Sequence, residues 1–127
     1  MGMGKDFYKK QLSLMSAGDI DALLDQHYHP DAVMVTFDGI RRGRDQLKTY
    51  YVETLKLMGK ITSLRTEYFA ETEDVIIFKA VITSDGRGTI QADNAFYMGE
   101  GKIVRHVALT ILPDVDYDRL GTRWIDE

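Results

Sequence analysis

The sequence predicts an α+β fold: three helices gathered in the first half of the chain, covering the concave face of a curved, cone-shaped antiparallel sheet. Three observations carry that expectation. Apolar residues recur at helical spacing before Gly59, strand-like runs fill the chain after it, and Gly-containing turn signals separate those runs at hairpin intervals. A bent sheet capped by helices encloses a conical space, and ligand pockets favour such concavities.

The elements follow in order. From Asp6 to Ala17, Phe7, Tyr8, Leu12 and Met15 fall near one helical face, and Gly18 ends the run. Asp19 is a good N-cap for a second helix, in which Ile20, Leu23, Leu24, His27 and Tyr28 fall at i, i+3, i+4, i+7 and i+8. Pro30 closes it, because the residue before a proline avoids helical geometry. Residues 32–37 read as a strand, Asp38-Gly39 as a turn, and residues 40–42 as a short return strand. A third helix carries Leu47, Tyr50, Tyr51, Leu55 and Met58, with Gly59 as terminator. Residues 61–70, 74–83, 90–98 and 103–112 are then expected to be strands.

Two tight hairpins set the expected register of the last three strands. Asp85-Gly86 and Glu100-Gly101 both suit two-residue turns. In that register Phe78 opposes Asp93, Ala95 opposes His106, and Asp93 opposes Ala108. Side chains alternate with period two, so one wall collects Ile76, Phe78, Ala80, Ile82, Gln91, Asp93, Tyr97, His106, Ala108 and Thr110. The other face collects Ile90, Phe96, Met98, Ile103, Val107, Leu109 and Ile111. The first reads as a polar-spotted pocket wall and the second as packing surface.

Composition bounds the rest. At 127 residues the chain suits one domain, residues 1–127, with 114–127 as a C-terminal tail anchored by Trp124 and Ile125. A net charge of −4 offers no basic field for nucleic acid. There is no cysteine, which removes disulfides and thiolate chemistry. No apolar run is long enough to span a bilayer and no signal peptide opens the chain, so a cytoplasmic protein is the expectation.

Asp93 is the leading candidate for acid/base or ligand-anchoring work, with His106 as its diagonal partner. The competing reading ties Asp93 to Gln91, Asn94 or a backbone amide, and His106 to a carbonyl. Tyr28, Tyr50, Tyr51 and Tyr97 are core aromatics of which some reach the cavity. Thr36 and Thr110 are pocket or capping hydroxyls. His27, His29 and Asp31 match no metal-ligand spacing, and neither metal nor cofactor is expected. Arg41, Arg42 and Arg44 read as a solvated loop, the competing reading being that they gate the pocket mouth or attract an anion.

The stretches SAGDIDALLDQHYHPDAVMVTFDG, RRGRDQLKTYY and NAFYMGEGKIVRHVALTI resemble the nuclear-transport-factor-2-like superfamily, close to SnoaL-like polyketide cyclases and ketosteroid isomerases. The resemblance implies a cofactor-free homodimer joined through the outer sheet face, here by Phe96, Met98, Val107 and Leu109. It places Thr36 where ketosteroid isomerases carry an aspartate base, and Gln11 where they carry a phenolic oxyanion donor. Their second, carboxylic acid donor aligns with Asp93, and Tyr50 and Tyr51 match pocket aromatics. The pocket is thus retained and the catalytic set altered.

Three functions compete on these grounds. One is a cofactor-independent isomerase, cyclase or hydratase acting on a hydrophobic carbonyl compound, with Asp93 as acid/base and His106 tuning it. Another is a pocket that binds a hydrophobic small molecule without turnover. The last is a dimeric interaction module whose cone is filled core.

Overall fold

The computed structural model describes residues 3–86 and 88–110. Among them the elements run α1 (Met3–Ser16), α2 (Ile20–His27), β1 (Tyr28–Thr36), β2 (Gly39–Arg42), α3 (Gly43–Met58), β3 (Ile61–Glu71), β4 (Val75–Ser84), β5 (Gly88–Gly99) and β6 (Lys102–Ala108). The tail after Pro113, with Trp124 and Ile125, and the face assigned to Ile111 lie outside the described residues.

Helix α1 turns Tyr8, Gln11 and Leu14 inward, with Phe7, Leu12 and Met15 half-buried beside them. It stops at Gly18, whose φ of +73° disfavours a side chain. The Gly18 and Asp19 amides donate to the carbonyls of Met15 and Leu14, both at 3.0 Å. Asp19 then caps α2 by accepting from the Ala22 amide at 3.4 Å. Helix α2 buries Ile20, Leu23, Leu24 and His27, and α3 buries Leu47, Tyr51 and Met58.

The six strands form one curved, unclosed sheet in the order β2-β1-β6-β5-β4-β3. Strands β1 and β6 run parallel, and the other neighbouring pairs are antiparallel. The sheet is therefore mixed rather than wholly antiparallel. Turn residues report hairpins, whereas a parallel pair distant in sequence leaves no local signature. Strand β1 also begins at Tyr28, earlier than the proline suggests. Pro30 sits where the pairing with β6 shifts between Tyr28 and Val33, the kind of irregularity that tolerates a missing amide. Further shifts in the β3–β4 and β5–β6 pairs bend the sheet around the helices.

The facing of β5 is the reverse of that predicted from the turns. Glu100 and Gly101, at φ +56° and +79°, do form the expected tight turn, with Gly99 opposite Lys102. A shift between Tyr97 and Met98 then brings Phe96, not Ala95, opposite His106. At the other end Ser84 pairs with Gly88, one residue later than a two-residue loop allows. Each irregularity slips the register by one, which exchanges the two faces of a strand. Ile90, Ala92, Asn94 and Phe96 consequently point inward, while Gln91, Asp93, Ala95 and Tyr97 point outward.

Phe96 is only 1% exposed and Ile103 is fully buried, so Phe96, Ile90 and Ile103 belong to the core rather than the outer surface, and Met98 packs against that core. Val107 and Leu109 keep the outer position, joined by Tyr68, Ile77 and Tyr97. Fully buried side chains such as Tyr28, Leu23, Met34, Leu47 and Phe96 each contribute about 1.5–3 kcal/mol. The β4–β5 turn docks on the end of α3: the Gly86 amide donates to the Met58 carbonyl at 3.0 Å, and the Lys60 amide donates to Asp85 Oδ1 at 2.8 Å. Among the described residues no helix is long and apolar enough to cross a membrane.

Candidate functional site

Helices α1 and α3 and the concave face of the sheet enclose a cavity of about 190 Å³. Its belly is apolar, built by Leu12 and Met15 from α1, Leu55 and Met58 from α3, and Ile82, Ile90, Ala92 and Ala108 from β4, β5 and β6. Polar groups gather at two places, a buried inner cluster and the mouth.

The inner cluster joins six elements, α1, α2, β1, α3, β5 and β6, through hydrogen bonds. His106, 4% exposed, packs edge-on against Phe96 at 4.7 Å between ring centres. Its Nε2 is hydrogen-bonded to Asn94 Oδ1 at 2.7 Å, and its Nδ1 to the Tyr28 hydroxyl at 2.8 Å. The Tyr28 and Tyr51 hydroxyls share a hydrogen bond at 2.5 Å. Gln11 Nε2 donates to both phenol oxygens, at 3.2 and 3.4 Å, and Gln11 Oε1 accepts from His27 Nδ1 at 2.8 Å. His27 stacks on Phe7 at 3.8 Å.

Burial sets the protonation of this cluster. It pushes the His106 imidazole down to about 3, so the ring is neutral near pH 7. Burial, with Lys10 nearby, lowers His27 to about 4. Burial also raises the Tyr28 and Tyr51 hydroxyls, which stay protonated. The cluster is uncharged and hydrogen-bonded throughout, the condition under which polar groups are stable in an apolar core.

At the mouth Arg41 donates to Thr36 Oγ1 at 2.6 Å and to both Asp38 oxygens at 2.9 and 3.3 Å, and lies 4.8 Å from the centre of the Tyr50 ring. Thr36 also donates to Asp38. The Arg41 hydrogen bond holds the Asp38 carboxyl below its ordinary range. The guanidinium is therefore committed to its own turn, and with Glu53 also in the lining the described wall sets two acidic side chains against one guanidinium.

The structure brings Gln11, Thr36, Tyr50, Tyr51, Phe78, His106 and Thr110 to the cavity wall. Tyr28 lies one hydrogen bond behind it. Asp93, Gln91 and Tyr97 are not there: the reversed facing of β5 puts them on the outer side of the sheet, with Asp93 opposite Lys79. Asp93 Oδ2 accepts from Gln91 at 3.4 Å, and its buried Oδ1 has no hydrogen-bond partner. An acid/base role for Asp93 in the pocket is thereby removed, and the diagonal contact with His106 is replaced by the Asn94 contact. Sequence reasoning overlooks Asn94 as a site residue, although it alternates with the apolar Ile90, Ala92 and Phe96. That same alternation marks the inward face of β5. Arg41, read from sequence as solvated loop, lines the mouth. Among the described residues no group of three or more His, Asp or Glu side chains is placed to hold a metal ion.

The sequence model of the SnoaL-like domain matches residues 8–106. Among curated proteins no sequence matches the chain. Solved structures with similar folds include AclR, a putative hydroxylase from Streptomyces galilaeus, at TM-score 0.74 and 16% identity, covering 97% of this chain and 98% of that one. A putative polyketide cyclase from Sinorhizobium meliloti superposes at TM-score 0.69 and 19% identity over 81% of this chain and 93% of its own. A protein of ketosteroid isomerase-like fold from Catenulispora acidiphila, solved with trimethylamine, gives 0.67 and 13% over 80% and 82%. At such identities the likeness is one of fold.

Proposed function

The chain belongs to the SnoaL-like domain family, and from that premise we propose that its cone binds a small, largely apolar ring compound bearing one hydrogen-bonding oxygen. The observation that carries this reading is the pairing of an apolar belly with an uncharged polar cluster at its inner end. A dry cavity of roughly 150 Å³ accommodates benzene. A space of about 190 Å³ therefore suits one ring with a short substituent. Among the described residues the lining offers no free Lys or Arg, since Arg41 is spent on Asp38, so a neutral ligand fits better than a carboxylate.

A second reading adds turnover. Tyr51 and Asn94 present buried hydrogen-bonding groups to the same cavity, and polarising a carbonyl there is what a cofactor-free isomerisation, cyclisation or hydration requires. One structure of similar fold is a putative polyketide cyclase, which is in keeping with cyclisation among these reactions. Thermal shift with a panel of cyclic ketones and phenols tests the binding reading. A ligand at a hundred times its Kd stabilises by about 2.7 kcal/mol. Ala92→Phe, which fills the belly, is expected to abolish the rise in Tm, whereas an equal rise in that variant would place the binding elsewhere.

We further propose a homodimer through the outer sheet face. Tyr68, Ile77, Tyr97 and Leu109 are exposed there, an apolar area that isolated domains seldom leave uncovered. Lys79 and Arg105 share the face with Asp93, so a two-fold axis can set opposite charges against each other.

A further inference from the structure

Tyr51 and Asn94 both reach the cavity, and an unbroken line of hydrogen bonds connects them. It runs from Tyr51 to Tyr28 at 2.5 Å, from Tyr28 to His106 Nδ1 at 2.8 Å, and from His106 Nε2 to Asn94 at 2.7 Å. Each link holds one hydrogen, and a neutral imidazole carries one N–H. The line can therefore run in two senses. With His106 protonated at Nε2, Asn94 accepts through Oδ1, Tyr28 donates to Nδ1 and Tyr51 donates to Tyr28. Tyr51 then shows the cavity a lone pair, and Asn94 its amide N–H. With His106 protonated at Nδ1, the imidazole donates to Tyr28, Tyr28 donates to Tyr51, and Asn94, rotated about χ2, donates to Nε2. Tyr51 now offers its O–H, and Asn94 its carbonyl. Gln11 donates to both phenol oxygens in either sense and opposes neither.

Building on the small-molecule site above, we propose that the tautomer of His106, read through Asn94, decides whether the pocket takes a carbonyl or a hydroxyl at Tyr51. The bound ligand selects the tautomer in return. Both senses satisfy every member of the line, so one ligand hydrogen bond is enough to choose between them. The exchange is neutral: one proton leaves Nε2 for solvent and one is taken up at Nδ1. Charging the ring is not an alternative route, because burial keeps it neutral near pH 7.

The test is 15N NMR of protein labelled at histidine, with His106 assigned by its loss in His106→Gln. Cyclohexenone serves as the acceptor probe and phenol as the donor probe, and the methyl shifts of Met15 and Met58 report occupancy of the cavity. The expected result is Nε2–H with phenol and Nδ1–H with cyclohexenone. Asn94→Asp, which can only accept, is expected to hold Nε2–H throughout and to weaken cyclohexenone about fivefold more than phenol. Methyl shifts with an unmoved tautomer would overturn the switch and leave the binding site standing. No methyl shift with either probe would overturn the site and the switch together.

Discussion

Among the described residues, His106 and His27 couple the fold to pH between about 4 and 6.5. In the unfolded chain both titrate near 6.5, as ordinary histidines do. In the folded protein burial holds them near 3 and 4 respectively. Between those values the unfolded chain takes up protons that the native state refuses, so stability falls as pH drops from about 6.5 toward 4. The slope reaches ~1.4 kcal/mol per pH unit for each histidine, and neither contributes a slope above 6.5. His106→Gln is expected to remove about half of it, measured by urea unfolding at pH 7, 6 and 5; an unchanged slope would assign the effect to other groups. Tyr28 is a second point of leverage, because its hydroxyl serves Gln11, Tyr51 and His106 at once. Tyr28→Phe leaves those groups short of a partner and is expected to cost about 1–3 kcal/mol by the same assay. Asp93→Leu, on the outer face, is expected to leave ring-compound binding within twofold, roughly 0.4 kcal/mol. A larger loss would return Asp93 to the site.

Among the elements, the β4–β5 turn shows how contact and register are linked. A Cβ on Gly86 would lie 2.6 Å from the Met58 carbonyl oxygen, closer than backbone allows. Gly86→Ala is therefore expected to push the turn off α3 at a cost of about 1–3 kcal/mol, seen as a lowered denaturation midpoint. This docking also bears on what the sequence makes legible. Helices α2 and α3 could be read directly, since Ile20, Leu23, Leu24 and His27, and Leu47, Tyr51 and Met58, carry their inward stripes in helical spacing. The parallel pairing of β1 with β6 has no such local trace. The facing of β5 was hidden for a different reason. Both flanking turns invite tight two-residue loops, whereas the β4–β5 turn is one residue longer and docks on the end of α3, and the β5–β6 pair shifts between Tyr97 and Met98. Two errors of one residue agreed with each other and turned the strand over. Ile90, Ala92 and Phe96 on one face against Gln91, Asp93 and Tyr97 on the other is the stronger signal, because burial of the apolar face outweighs turn preference. Gln11, His27 and Asn94 come together from separate elements, a meeting that only the folded chain discloses.

For the whole molecule, the proposed function divides the sheet into two working faces. The outer one is proposed to pair two copies, and Val107→Glu at its centre is expected to shift the protein from dimer to monomer in sedimentation velocity. A clean dimer from that variant would place the interface elsewhere. The inner face carries the central claim, that the cone is a ligand site and not filled core. The most direct measurement is methyl NMR of protein labelled at Met, Ile, Leu and Val, with intermolecular NOEs to saturating cyclohexenone. The result predicted is contact with the Met15, Met58 and Ile90 methyls, which line the cavity. Contacts confined to Val107 and Leu109, or none at all, would contradict it.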